Sequence, residues 1–155
     1  MITVKRLDKI IVKHVMDEDG NFDYLGEFSD TQEGDFSVIH SDNPRHYKYF
    51  NADNVENMDQ AMENYKRACI HGDSWHYIGV KVVAVVSVSD DGVFWASKEI
   101  ESNGLYGTES DSDTEYLKEV AKQELDAIED ELKGLGISIA DIAKQWELSE
   151  VIKEY

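Results

Sequence analysis

Cysteine and proline occur once each in the 155 residues, as Cys69 and Pro44. A lone thiol excludes an internal disulfide and fits a reducing compartment. Long apolar runs are missing as well. The run that follows Lys5, Arg6 and Lys9, "IIV", is too short for the core of a secretion signal, and no cleavage site comes after it. No segment approaches the roughly 20 apolar residues of a membrane span. A soluble, cytoplasmic protein is expected. Positive charge is scarce too: 15 Lys and Arg face 33 Asp and Glu, for a formal net charge of -18. A field of that sign repels nucleic acid and anionic membranes and speeds encounter with basic surfaces. Neither nucleic acid nor membrane is therefore an expected direct partner, and the expected partner is cationic.

Chemical signatures are equally sparse. His40, Ser41 and Asp42 are contiguous, but a triad is assembled in space, and no G-x-S-x-G elbow is present. His71 and His76 lack the cysteine pair or H-E-x-x-H frame of a zinc site. Phosphate-loop and dinucleotide fingerprints are absent. A calcium loop counted from Asp111 needs Gly and Glu where Tyr116 and Lys122 stand, and one counted from Asp17 meets Phe22 and Phe28. No catalytic residue, metal site or cofactor is predicted, and no enzymatic activity.

What the chain does have is enough apolar material, 41 % of residues, to build a core. Its length suits one domain, residues 1–155, burying roughly 70 % of the unfolded chain's surface. Residues 2–15 are rich in β-branched types and predict a strand. The "DEDGN" turn at 17–21 lets "FDYLGEF" return as its hairpin partner. "RHYKYF" at 45–50 reads as an edge strand guarded by its basic residues, with Tyr47 and Tyr49 on one face. A helix over about 54–70 opens on an Asp53/Glu56 capping box. Its apolar stripe of Val55, Met58, Met62, Tyr65 and Cys69 buries the thiol, and Gly72 stops it.

The strongest strand is 75–89, "WHYIGVKVVAVVSVS", apolar on both faces and so central in a sheet. "DDG" at 90–92 turns it into an antiparallel return, "VFWASKEIES", followed by a glycine-bounded loop, "NGLYG". A second helix over 113–134 carries Leu117, Ala121, Leu125, Ile128, Leu132 and Leu135 on one face. Ser138 with Asp141 caps a short third helix bearing Ile142, Trp146 and Leu148, and "VIKEY" is left as a tail. The predicted class is α+β: a mostly antiparallel sheet of four to five strands against two main helices and a short C-terminal one.

Acidic residues concentrate in two blocks. In "GTESDSDTEY", Glu109, Asp111, Asp113 and Glu115 fall at every second position. Ser112 with Glu115 matches a capping box, and acids in a first helical turn favour the dipole. This explains Asp113 and Glu115 but not Glu109 and Asp111. In an extended chain alternate side chains lie about 6.6 Å apart, and i, i+4 neighbours on a helix about 6 Å. Both approach the spacing of successive phosphates, about 6 to 7 Å. Along the helix, Glu119 with Lys122 and Glu129 with Lys133 can pair, whereas Asp126 and Asp130 form an unrelieved like-charge pair. The candidate binding residues are Glu109, Asp111, Asp113, Glu115, Glu119, Asp126 and Asp130. A second candidate face is the hairpin with Asp17, Glu18, Asp19, Asp23, Glu27 and Asp30, within an interval from Lys13 to Arg45 that holds no Lys or Arg.

"YFNADN", "GDSWHYIGVKVVAVVSV" and above all "SNGLYGTESDSDTEYLKEV" resemble a family of small acidic proteins from phages, prophages and other mobile elements. The likeness covers about Tyr49 to Gly136 and is most specific over Gly104 to Leu117. It supplies no catalytic residues. It implies a bacterial host cytoplasm, where such proteins often counter defence systems. The resulting expectation is an inhibitor of the anti-CRISPR or antirestriction type, mimicking nucleic acid on a basic nucleic-acid-binding surface of a host protein. Self-association into a homodimer is left open. The alternative is a small regulatory or small-molecule-binding module whose pocket gathers Trp75, Tyr77, Trp95 and Tyr106.

Overall fold

The computed structural model of the protein describes residues 4–19, 22–39, 47–71 and 75–155. The elements run β1 (Val4–Met16), β2 (Gly26–Ser29), β3 (Ser37–Ile39), β4 (Tyr49–Ala52), α1 (Met58–Cys69), β5 (Tyr77–Ser89), β6 (Ala96–Glu101), β7 (Leu105–Glu109), α2 (Thr114–Gly134), α3 (Ile139–Glu147) and β8 (Glu150–Glu154). They fall into two compact units, Met1–Glu18 with Tyr77–Tyr155, and Asp19–His76. The division follows from pairing: β1 and β5 are antiparallel from Val4↔Ser89 to Met16↔Ile78, so the chain between them is an excursion from a long two-stranded ribbon.

In the first unit the strand order is β6-β5-β1-β8, with β7 also on β5. Every pairing is antiparallel except the parallel β1–β8. The run of β-branched residues in β5 explains its place: Ile78, Val82, Ala84 and Val86 are all 0 % exposed. They pack with Leu7, Ile10 and Val12 of β1 and with Val120, Ala121, Leu125, Ile128 and Leu132 of α2. The expected α+β class and central antiparallel strand are thus present. So is the α2 stripe, with Val120 added to it. Ser138 accepts from the Asp141 amide as predicted and starts α3.

Several local expectations are corrected. The segment after the first acidic turn does not return along β1, because β1's edge is taken by the longer and more apolar β5. That segment forms β2, which pairs with β4 in the second unit's three-stranded sheet, order β2-β4-β3. Tyr49 and Phe50 therefore sit in a central strand and not an edge strand, while Arg45 and His46 lie outside the described residues. "NGLYG" is largely strand, β7. The tail is also a strand: "EVIKE" has no buried side, and pairing along β1's second edge orders it.

α1 differs most from expectation. Asn54 takes a left-handed φ of 58° and separates Asp53 from the helix. The cap is Asn57, whose side chain accepts from the Gln60 amide, while Gln60 accepts in return from the Glu56 amide. Its inward face carries Ala61 and Ala68, not Met58, Met62 and Cys69, which are exposed. Asn64 lies half-buried and donates to the carbonyls of Leu25 and Asp53, 3.0 Å each. Polar spacing hid this face because the amide is spent on backbone. The unit's core is aromatic instead: Phe50 is fully buried against the rings of Phe28 and Tyr65. Trp75 donates to the Arg67 carbonyl beneath the Arg67 guanidinium.

Candidate acidic interaction surface

The acidic alternation is not an extended ladder. Glu109 ends β7 opposite Tyr77. The Ser112 amide and hydroxyl both donate to the Glu109 carbonyl, 3.0 and 2.6 Å, and this closes a turn over Ser110 and Asp111. Asp113 caps α2: its carboxylate accepts from the Glu115 amide at 3.0 Å. The predicted Ser112 cap is displaced because that hydroxyl is engaged behind it. Strand end, turn, cap and first helical turn thus divide the four carboxylates, and the spacing of about 6.6 Å that a strand would give is not formed. Asp111, Asp113 and Glu115 are exposed, and Glu109 is half-buried.

β7, which leads into the turn, is tied to a residue from the other candidate block. Asp17 Oδ2 accepts from the Gly107 amide at 2.9 Å, and the Asp17 amide donates to the Tyr77 carbonyl at 3.1 Å. Asp17 therefore joins Glu109 at one end of β5. The rest of that block is not one hairpin face. Glu18 belongs to the sheet unit, whereas Asp19, Asp23, Glu27 and Asp30 belong to the second unit, all of them exposed.

α2 carries the longest array. Glu115, Glu119, Asp126 and Asp130 are exposed and fall within a stripe about 60° wide at 100° per residue, spanning about 22 Å of axis. The buried stripe of Ala121, Leu125, Ile128 and Leu132 occupies the opposite side. Lys122 interrupts the acids, but it turns to Asp126 at 3.4 Å and not to Glu119. Asp126 is accordingly not half of an unrelieved pair. Glu129 and Lys133 pair as expected, 3.1 Å. Ion pairs this exposed contribute about 0–1 kcal/mol, so the stripe keeps its acidic character.

Of the aromatic residues of the alternative reading, Tyr77 and Tyr106 lie on one face at the start of β5 and Trp95 lies apart from them. Trp75 lies in the second unit. Tyr106 stands over Gly79 near the start of β5, while Trp95 adjoins its far end, about 30 Å away at 3.3 Å per residue. An open cavity of about 260 Å³ next to Trp95 is lined by Val88, Ser89, Asp90, Phe94, Trp95 and Ala96, smaller than the usual ligand pocket. His40, Ser41 and Asp42 lie outside the described residues, and His71 packs edge-on against the rings of Phe22 and Trp75.

One surface feature was not anticipated. At the β5–β6 turn, Asp91 Oδ1 accepts from the amides of Val93 and Phe94 and from the Ser89 hydroxyl, 2.8 to 3.1 Å. The Phe94 and then the Val93 N–H bonds hold its carboxyl below the usual range. The turn so fixed leaves Val93 71 % and Phe94 80 % exposed. Behind it the Arg6 guanidinium covers the Trp95 ring at 4.1 Å and pairs with Asp8 at 2.8 Å, and Ser87 donates to the same carboxylate. The apolar triplet "VFW" directly after "DDG" is the signal that marks it.

Comparison with protein-family models, curated proteins and solved structures finds no match to the chain. Among the described residues no helix is long and apolar enough to cross a membrane.

Proposed function

We propose that the protein is a non-catalytic inhibitor from a phage or other mobile element that occupies a basic nucleic-acid-binding surface of a bacterial defence protein, of the anti-CRISPR or antirestriction type. The observation that carries this reading is the exposed carboxylate stripe of α2 on a chain of net charge -18. The binding residues are Glu115, Glu119, Asp126 and Asp130, continued around the turn by Asp111 and Glu109. Asp113 serves mainly to cap. Glu115 with Glu119 and Asp126 with Asp130 lie one turn apart at about 6 Å, a spacing a phosphate-reading surface accepts, and the two pairs are separated by about 10 Å of axis that Lys122 occupies. Long-range attraction accelerates the encounter, and close charge pairs fix the register.

The test is competition. The target is recovered from a bacterial lysate, and the wild-type chain displaces DNA from it, less effectively as salt rises. The triple variant Glu119→Gln, Asp126→Asn, Asp130→Asn spares the cap and the buried stripe, so it keeps its melting temperature and competes at least about tenfold more weakly. Equal competition by the variant, or displacement insensitive to salt, rules the reading out.

A further inference from the structure

We infer that β6 is a self-recognition edge, along which a second copy of this chain adds antiparallel and extends the sheet across a twofold axis at Ser97. Among the described residues nothing pairs with the outer side of β6. Its main-chain groups can be assigned to sides. The Ser102 amide donates to the Val82 carbonyl at 2.9 Å, and Ile100, Lys98 and Ala96 follow in register with Ala84, Val86 and Val88. Bonded residues alternate in an antiparallel ladder, so Ser97, Glu99 and Glu101 turn their N–H and C=O groups outward.

Charge narrows the register, and the Arg6-covered Trp95 ring decides it. A twofold axis normal to the sheet keeps each face aligned, so one residue of β6 lies opposite itself. Centring on Lys98 or Glu99 opposes like charges directly, and centring on Ile100 opposes Glu99 to Glu101. Centring on Ser97 opposes none: Lys98 meets Ala96, and Glu99 meets Trp95, directly opposed side chains lying about 5 Å apart.

That last pairing is complementary. Arg6, Ser87 and Ser97 form one row across the sheet, on the face turned away from the core residue Ile100. Arg6 covers the Trp95 ring on that face. Glu99 of the second copy therefore arrives beside Trp95 and the Arg6 guanidinium, and symmetry repeats the contact. Val93 and Phe94 lie in the turn just before β6, so the exposed apolar turn stands next to the end of the added strand. The hydrogen bonds to Asp91 hold that turn in place beforehand, so little of its freedom is lost on association.

The experiment is sedimentation velocity on the full chain over a concentration series at about 0.15 M salt, where the Debye length of about 8 Å screens the net charge but not a close pair. The wild type is expected to pass from monomer to dimer. Glu99→Arg and Arg6→Glu each weaken the dimer about tenfold by facing like charges twice, and the double variant Arg6→Glu, Glu99→Arg restores it. Ser97→Pro removes an outward N–H and no internal ladder bond; it leaves the circular dichroism unchanged and abolishes the dimer. A wild type that stays monomeric throughout overturns the proposal, as do a double swap without recovery and single swaps without effect. These outcomes are read without any target, so they are separate from those of the competition assay.

Discussion

At the scale of single residues, His14 shows how pairing register sets a side chain's chemistry. The register of β1 places it between Val80 and Lys153 on the core face, 5 % exposed, with Nδ1 buried and, among the described residues, unpartnered. Burial, and then the Lys153 ammonium, hold its pKa below 6.5. A base that the folded state keeps neutral is protonated first in the unfolded chain. The neutral ring thus costs nothing above about pH 6.5, and stability declines as pH falls below that value. In urea melts, His14→Phe is expected to lose less stability than the wild type between about pH 7.5 and 5.5, a window that stays above the ordinary range of carboxylates. Identical declines in the two proteins would place the proton elsewhere.

At the scale of elements, length decided what could be read in advance. β5 and α2 are long enough for β-branched density and a six-membered stripe to outweigh local noise, and both lie within two residues of their expected ends. Short elements depend on partners that no local pattern reveals. β8 has every side chain exposed and owes its order to an open edge of β1, and β7 hides behind glycines that its pairing to β5 tolerates. For the candidate site, the acidic stripe of α2 was legible from composition and period. The break at Ser112 was not, because it rests on a hydroxyl choosing the Glu109 carbonyl over the helix. That choice is testable: Asp113→Ala, which removes the true cap, lowers stability by about 1 kcal/mol, whereas Ser112→Ala leaves the first turn of α2 capped. Chemical denaturation compares the two, and a larger loss for Ser112→Ala would reverse the assignment.

At the scale of the whole molecule, β1 and β5 meet across about 60 intervening residues, and closing a loop of that length costs entropy that grows only slowly as the logarithm of its length. A folded Asp19–His76 unit would shorten the free chain to be closed, so the small sheet is expected to form before the ribbon closes. Rates should then couple where contacts do not. Gly26 has φ 144°, and a Cβ there would lie 2.4 Å from the Asn51 carbonyl oxygen, wholly within the small sheet. Gly26→Ala is expected to destabilise that unit by about 2–4 kcal/mol. In stopped-flow refolding, Trp95 fluorescence, which reports on the large sheet in a Trp75→Phe, Trp146→Phe background, should recover more slowly in Gly26→Ala by a factor of ten or more, about 1.4 kcal/mol of barrier per factor of ten. An unchanged rate would mean that the ribbon closes before its own excursion is built.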